Sequence, residues 1–146
     1  AEEVESLQKR VKRDSLFLYG YKSQNEISHY INAFDICLLP NQKIVYGANA
    51  TSNNSQNIAN YTSPLKMFEY MAHKKPIIAS NLLVLKEVLD DTNSILVDSE
   101  NSDEWIRAIE QLKDQTIRDS IAHRAYEDFI KNYTWIQRAK KIMDSI

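Results

Sequence analysis

One stretch of the chain concentrates residues that could do chemistry: Tyr61-Thr62-Ser63-Pro64-Leu65-Lys66-Met67-Phe68-Glu69-Tyr70-Met71-Ala72-His73. Ser63 is a favourable N-cap and Pro64 suits the first helical position, so a helix opens here and runs to about His73. The free N–H groups of Leu65, Lys66 and Met67 then point outward with the positive end of the helix dipole behind them, an arrangement that receives anions. Lys66 in a first turn is unfavourable for the helix alone, because cations belong at the other end, and makes sense if an anion sits there. Glu69 follows one turn later. Its carboxylate can accept two hydroxyl hydrogen bonds in a fixed geometry, which suits the vicinal hydroxyls of ribose. On a helical wheel Leu65, Phe68, Met71 and Ala72, with Met67 at the margin, form an apolar face. Lys66, Glu69, Tyr70 and His73 form the polar one. Two readings of the polar face stand: it meets water, or Lys66 and Glu69 offer a cation to phosphate and a carboxylate to a sugar diol.

The rest of the chain is poorer in such groups. His29, His73 and His123 are scattered, so no metal site is expected. His73 shares the polar face but lies at the far end of its helix, too distant to act as a base on the same reacting atom. The lone Cys37 falls in the apolar run Phe34-Asp35-Ile36-Cys37-Leu38-Leu39 and reads as a small buried hydrophobe, with a reducing, cytosolic setting as the default. A formal charge of −2 argues against a nucleic-acid partner, which usually needs a concentrated basic surface. The basic clusters Lys9-Arg10-Val11-Lys12-Arg13 and Arg138, Lys140, Lys141 read as solvated helix faces, with a membrane-surface contact as the second option. No apolar run approaches the length of a membrane span.

The elements that must position the Glu69 segment follow from periodicity. Val4, Leu7 and Val11 recur at helical spacing, and Leu16-Phe17-Leu18-Tyr19 reads as a strand ended by Gly20. Ser23-x-x-Glu26 is a capping box opening a helix through about Phe34, and residues 35–39 form a strand stopped by Pro40. Beyond the Ser63 helix come a strand over residues 76–79, a helix over 83–89 and a strand over 94–97. Stripes through Trp105, Ile106, Ile109 and Leu112, then Ile117, Ile121, Ala125 and Phe129, predict two helices, and Thr134-x-x-Gln137 caps a last one to Ile146. This alternation implies a Rossmann-like, doubly wound α/β domain: a parallel sheet with helices on both faces, ending in a run of helices. A chain of 146 residues holds one such domain, residues 1–146. The opening helix has no strand before it, so the chain reads as part of a longer polypeptide. The polar, Asn-rich loop over residues 41–62 is long enough to be either disordered or functional, and its place before Ser63 suggests a lid over the ligand.

Ser63-Pro64-Leu65-Lys66-Met67-Phe68-Glu69-Tyr70-Met71-Ala72 followed by Lys75-Pro76-Ile77-Ile78-Ala79-Ser80 closely resembles the donor-binding segment of retaining GT-B glycosyltransferases of the glycosyltransferase family 4 type. Tyr19-Gly20-Tyr21, the run from Ala33 to Pro40, Leu85-Lys86-Glu87-Val88-Leu89, Asn93-Ser94-Ile95-Leu96-Val97 and Tyr133-Thr134-Trp135 look like that family in the same order. The resemblance implies the C-terminal half of a GT-B fold, holding a nucleotide-diphosphate sugar in a cleft shared with an N-terminal domain. Glu69 would bind the ribose hydroxyls, and Ser63, Pro64 and Leu65 would face the diphosphate through their backbone. Lys66 would assist electrostatically, and Gly20, Tyr21 and Lys22 would contact the base. Tyr61 and Thr62 lead into this site, and Tyr61 stands where the family usually carries a second Glu near the transferred sugar, a departure that bears on which sugar is read. The implied chemistry is metal-independent, with Lys66 and Glu69 as the residues that carry it. The implied acceptor is a glycan or glycolipid of polysaccharide or lipopolysaccharide assembly, met at the inner face of a bacterial cell membrane.

Two other classes remain open on the residues. A degenerate GT-B-like domain, kept for binding or assembly, would share the fold, with Tyr61 as its early sign. A receiver-like signalling module would share the α/β alternation but needs a phosphoacceptor Asp at the end of a strand, whereas Asp35 begins one.

Overall fold

The computed structural model describes residues 6, 9–11, 15–46, 57, 59 and 65–145. Among them, β1 (Cys37–Leu39), β2 (Ile77–Ser80) and β3 (Ile95–Val97) form one parallel sheet in that order. Cys37 stands opposite Ile77 and Leu39 opposite Ala79, while Ile78 stands opposite Ile95 and Ser80 opposite Val97. Helix α1 (Gln24–Ala33) precedes β1, α2 (Leu65–Ala72) precedes β2 and α3 (Leu83–Lys86) precedes β3. The chain then closes with α4 (Ser102–Gln111), α5 (Gln115–Asn132) and α6 (Trp135–Met143).

Local chemistry sets the helix ends. The Glu26 carboxylate accepts from Ser23 N at 3.1 Å and Ser23 Oγ at 2.6 Å, the back-bonding half of a capping box, and these bonds hold the carboxyl below its usual range. Asp114 accepts from the N–H groups of Thr116 and Ile117 at the start of α5, and Thr134 Oγ1 accepts from Gln137 N at the start of α6. After α2 the chain turns through Lys74 at φ 53°, with Lys74 N donating to Met71 O and Lys75 N to Tyr70 O. This is a Schellman ending with lysine where glycine is favoured. Lys75 Nζ then donates to Asn32 O at 2.8 Å and Phe34 O at 2.9 Å, tying the end of α1 to the entry of β2.

Strand β2 is buried along its whole length, because it has a parallel neighbour on each side and helices over both faces. Ile77 and Ala79 join Leu39, Met67, Met71, Leu85, Leu89 and Ala125 on one face. Ile78 joins Val97, Ala108, Leu112 and Ile121 on the other. Helix α5 therefore reaches both clusters, through Ala125 and Ile121. The Rossmann-like α/β arrangement expected from the alternation is present, with the helix-rich ending.

The structure corrects several elements. Residues 16–19 form no strand: they lie outside the sheet with Phe17, Leu18 and Tyr19 exposed, and Tyr19 packs on Tyr30 of α1 at 5.3 Å. An apolar run becomes a strand only where a neighbour accepts its ladder hydrogen bonds, and among the described residues these have none. The strand expected over residues 35–39 begins at Cys37, the helix expected over 83–89 ends at Lys86 and continues as a turn, and the last helix ends at Met143. Of the opening helix, Ser6, Lys9 and Arg10 are helical, and its remainder lies outside the described residues. Cys37 is buried, and that burial pushes its thiol up to about 12, so it serves as the small hydrophobe expected.

Candidate functional site

Helix α2 does not sit as the helical wheel placed it. Met67 and Met71 are its buried residues, one turn apart against β2, while Leu65 is 74% exposed. Tyr70, expected on the polar face, packs against the core, and burial raises its hydroxyl above the usual tyrosine value. The buried stripe is thus centred on Met67 instead of bordered by it. The reason is tertiary: the sheet and α5 meet the Met67 and Met71 side of the helix. That rotation turns Leu65, Phe68 and Glu69 toward a cleft.

The cleft has a volume of about 800 Å3. Its walls come from Gln24 at the start of α1, from Leu65, Phe68 and Glu69, from Phe129, Asn132 and Tyr133 at the end of α5, and from Trp135, Arg138 and Lys141 of α6. Phe68 and Tyr133 pack ring to ring at 5.4 Å, forming an apolar floor. Gln24 Nε2 lies 3.4 Å from Glu69 Oε1, a long hydrogen bond that holds one carboxylate oxygen. Oε2 receives no hydrogen bond from the described residues. The His73 ring, at the other end of the helix, bonds the Glu69 carbonyl through Nδ1 at 2.8 Å and does not line the cleft.

The other expected site residues are distributed unevenly. Leu65 and Glu69 line the cleft, whereas Lys66 is exposed outside its lining. Gly20, Tyr21 and Lys22 do not line it either, although their loop ends at Ser23, beside the Gln24 that reaches Glu69. Gly20 takes φ +67°, a left-handed conformation that favours glycine, and Tyr21 is 94% exposed. Lys22 Nζ stands over the Tyr30 ring at 5.1 Å and the Tyr19 ring at 5.9 Å. Tyr61, Thr62, Ser63 and Pro64 lie outside the described residues. Sequence reasoning missed Gln24, Phe129, Asn132, Arg138 and Lys141 as neighbours of Glu69. The signal for the last two in the sequence is the adjoining Tyr133-Thr134-Trp135 run, whose likeness to the family points to the end of α5 and the start of α6.

Parts of the 41–62 loop are described. Asn57 donates to Lys43 O at 2.9 Å and accepts from Val45 N at 2.9 Å, bringing it against the first part of the loop. Lys43 pairs with Asp98 at 2.9 Å and Glu100 at 3.5 Å, joining the segments that follow β1 and β3. Residues 47–56, 58 and 60–62 of this loop, and with them most of the expected lid, fall outside the described residues. Among the described residues no group of three or more His, Cys, Asp or Glu side chains could hold a metal ion. No helix among them is long and apolar enough to cross a membrane.

Residues 4–144 match the model of the family described as glycosyl transferase-like. The chain belongs to that family. Its fold is similar to sucrose-phosphate synthase from Thermosynechococcus elongatus, with TM-score 0.76 and 18% identity over 98% of this chain and 32% of that one. It is also similar to the crystal structure of TarM, with TM-score 0.71 and 16% identity over 98% of this chain and 26% of that one. These likenesses are of fold. The chain spans about a third or less of the length of either neighbour. No curated protein matches this glycosyl transferase-like domain.

Proposed function

We propose that this domain binds a nucleotide-diphosphate sugar at Glu69 and, completed by an N-terminal GT-B domain, transfers the sugar to an acceptor hydroxyl. The observation that carries this reading is the placement of Glu69 at the cleft, with Gln24 on Oε1 and the other carboxylate oxygen open to a ligand. A carboxylate held from one side retains lone pairs for two vicinal hydroxyls, the requirement of a ribose. The backbone N–H groups of the first turn of α2, together with Lys66, would face the diphosphate. The base would lie toward Gly20, Tyr21 and Lys22. Stabilising the negative charge that develops on the departing diphosphate is then the domain's contribution to the rate. Donor and acceptor are the partners of this chemistry, which as proposed is metal-independent and of the retaining, glycosyltransferase family 4 type. A glycan or glycolipid of polysaccharide or lipopolysaccharide assembly, met at the cytoplasmic face of the membrane, is the acceptor class we favour.

The test is a backbone NMR titration with UDP, GDP, ADP and CMP, repeated on Glu69→Gln. One nucleoside diphosphate is expected to shift Gly20, Tyr21 and the amides of residues 65 to 69, with a dissociation constant near 1 mM, about −4 kcal/mol. Glu69→Gln should remove those shifts. If a diphosphate bound equally well to the variant, the assignment of Glu69 to the donor would be wrong.

A further inference from the structure

Helices α1 and α2 are joined in two places. At one, Gln24 Nε2 lies 3.4 Å from Glu69 Oε1, across 45 residues of sequence. At the other, Lys75 Nζ, just past α2, donates to Asn32 O at 2.8 Å and Phe34 O at 2.9 Å at the end of α1. The lysine fixes how α1 lies along α2, so Gln24 is delivered to Glu69 by the packing of the two helices. Gln24 is also the first residue of α1, directly after Ser23, whose N–H and hydroxyl both donate to Glu26. That box sets the start of the helix, and with it the point from which the Gln24 side chain leaves.

A carboxylate accepts and does not donate, so the Gln24 amide must turn its NH2 to Glu69, with its own carbonyl oxygen directed elsewhere. The last torsion of a glutamate side chain is broad and roughly two-fold, so a carboxylate without a partner presents its plane in many directions. One donor on Oε1 narrows that range to settings in which Oε1 faces α1 and Oε2 is left for a ligand. Two vicinal hydroxyls can bond one carboxylate together only when both its oxygens are presented to them, whereas a single hydroxyl tolerates many orientations. We infer that Gln24 is a positioning residue: it orients the Glu69 carboxylate for the vicinal diol of a ribose and so sets a preference for ribose over deoxyribose, an inference that rests on the donor reading of Glu69. Gln24 also stands two residues after Lys22, and on that reading it ties the place of the base, at Gly20, Tyr21 and Lys22, to the place of the ribose.

NMR titrations of the protein with UDP, GDP, ADP and CMP, and with the deoxyribose form of each, test it. For the nucleotide that binds, the ribose form should bind at least about fivefold more tightly than the deoxyribose form, the effect of losing one hydrogen bond. Gln24→Met, of similar length and without a donor, should weaken the ribose form roughly threefold to tenfold and the deoxyribose form less, so that their ratio falls toward one. Gln24→Glu, which sets a second carboxylate against the first, should weaken the ribose form at least as far. Asn25→Ala, at the next position of α1, should change neither constant. A general loosening of the fold would weaken both forms alike, so the ratio separates orientation from structure. In the ligand-free protein an NOE is expected from the Gln24 side-chain amide protons to the Glu69 Cγ protons, and its absence would overturn the inference alone. If Glu69→Gln abolishes binding while Gln24→Met leaves the ratio at its original value, Gln24 does not orient the carboxylate and the donor reading stands. Binding unaffected by Glu69→Gln, or none of the four bound by the folded protein, would overturn the donor reading and this inference with it.

Discussion

Ile77, Ile78 and Ala79 are completely buried, whereas Phe17, Leu18 and Tyr19, an equally apolar run, are 67%, 46% and 61% exposed. The first run has β1 and β3 as parallel neighbours, α2 and α3 over one face and α4 over the other. Among the described residues the second has ring contacts of Tyr19 with Tyr30 and Phe17, and Lys22 Nζ over the Tyr19 ring. Residue type decides what a segment would gain by burial, and neighbours decide whether it obtains it. Parallel pairing makes the dependence acute, since a strand in such a sheet requires partners and helices that lie far away in sequence.

Substitutions can sharpen this contrast. Met71→Ala removes a side chain with no exposed surface from the cluster on β2, and a loss of about 2–5 kcal/mol in urea unfolding is expected, depending on how far the site collapses. Asn93→Ala probes the polar stitching of the same side. The buried Asn93 side chain accepts from Asp90 N at 2.9 Å and donates to Val88 O at 3.1 Å and Asp128 Oδ2 at 3.0 Å. Its loss removes the partner of Asp90 N and a partner each of Val88 O and Asp128, and about 1–3 kcal/mol is expected from the same measurement. Phe17→Ser should change stability by less than about 0.5 kcal/mol, as for other exposed positions. A loss above about 2 kcal/mol for Phe17→Ser would mean that this run is covered as closely as β2, and the contrast would fail.

The candidate site shows the same division. The capping residues Ser23 with Glu26 and Thr134 with Gln137 were legible from their spacing, and each does its expected work at a helix start. The Ser63 cap belongs to residues outside those described. Glu69 was legible as a carboxylate one turn into a helix. Its company was not: Gln24 lies 45 residues before it, and the α5 and α6 residues of the cleft lie about sixty or more after it. Nor was the orientation of α2 legible, because Leu65, Met67, Phe68 and Met71 have similar apolar character and a wheel cannot say which pair meets the sheet.

By itself, the sequence determined where helices begin, which runs are apolar enough to enter a core, and that one carboxylate follows a helix start by a single turn. Those are local properties, set by side-chain capping, periodicity and backbone geometry within a few residues. The tertiary structure decided that residues 16–19 stay outside the sheet, that Met67 and Met71 turn inward and Leu65 outward, and that α6 closes a cleft over Glu69. Each of those outcomes depends on which distant surface is present to exclude water, and no window along the chain contains that surface.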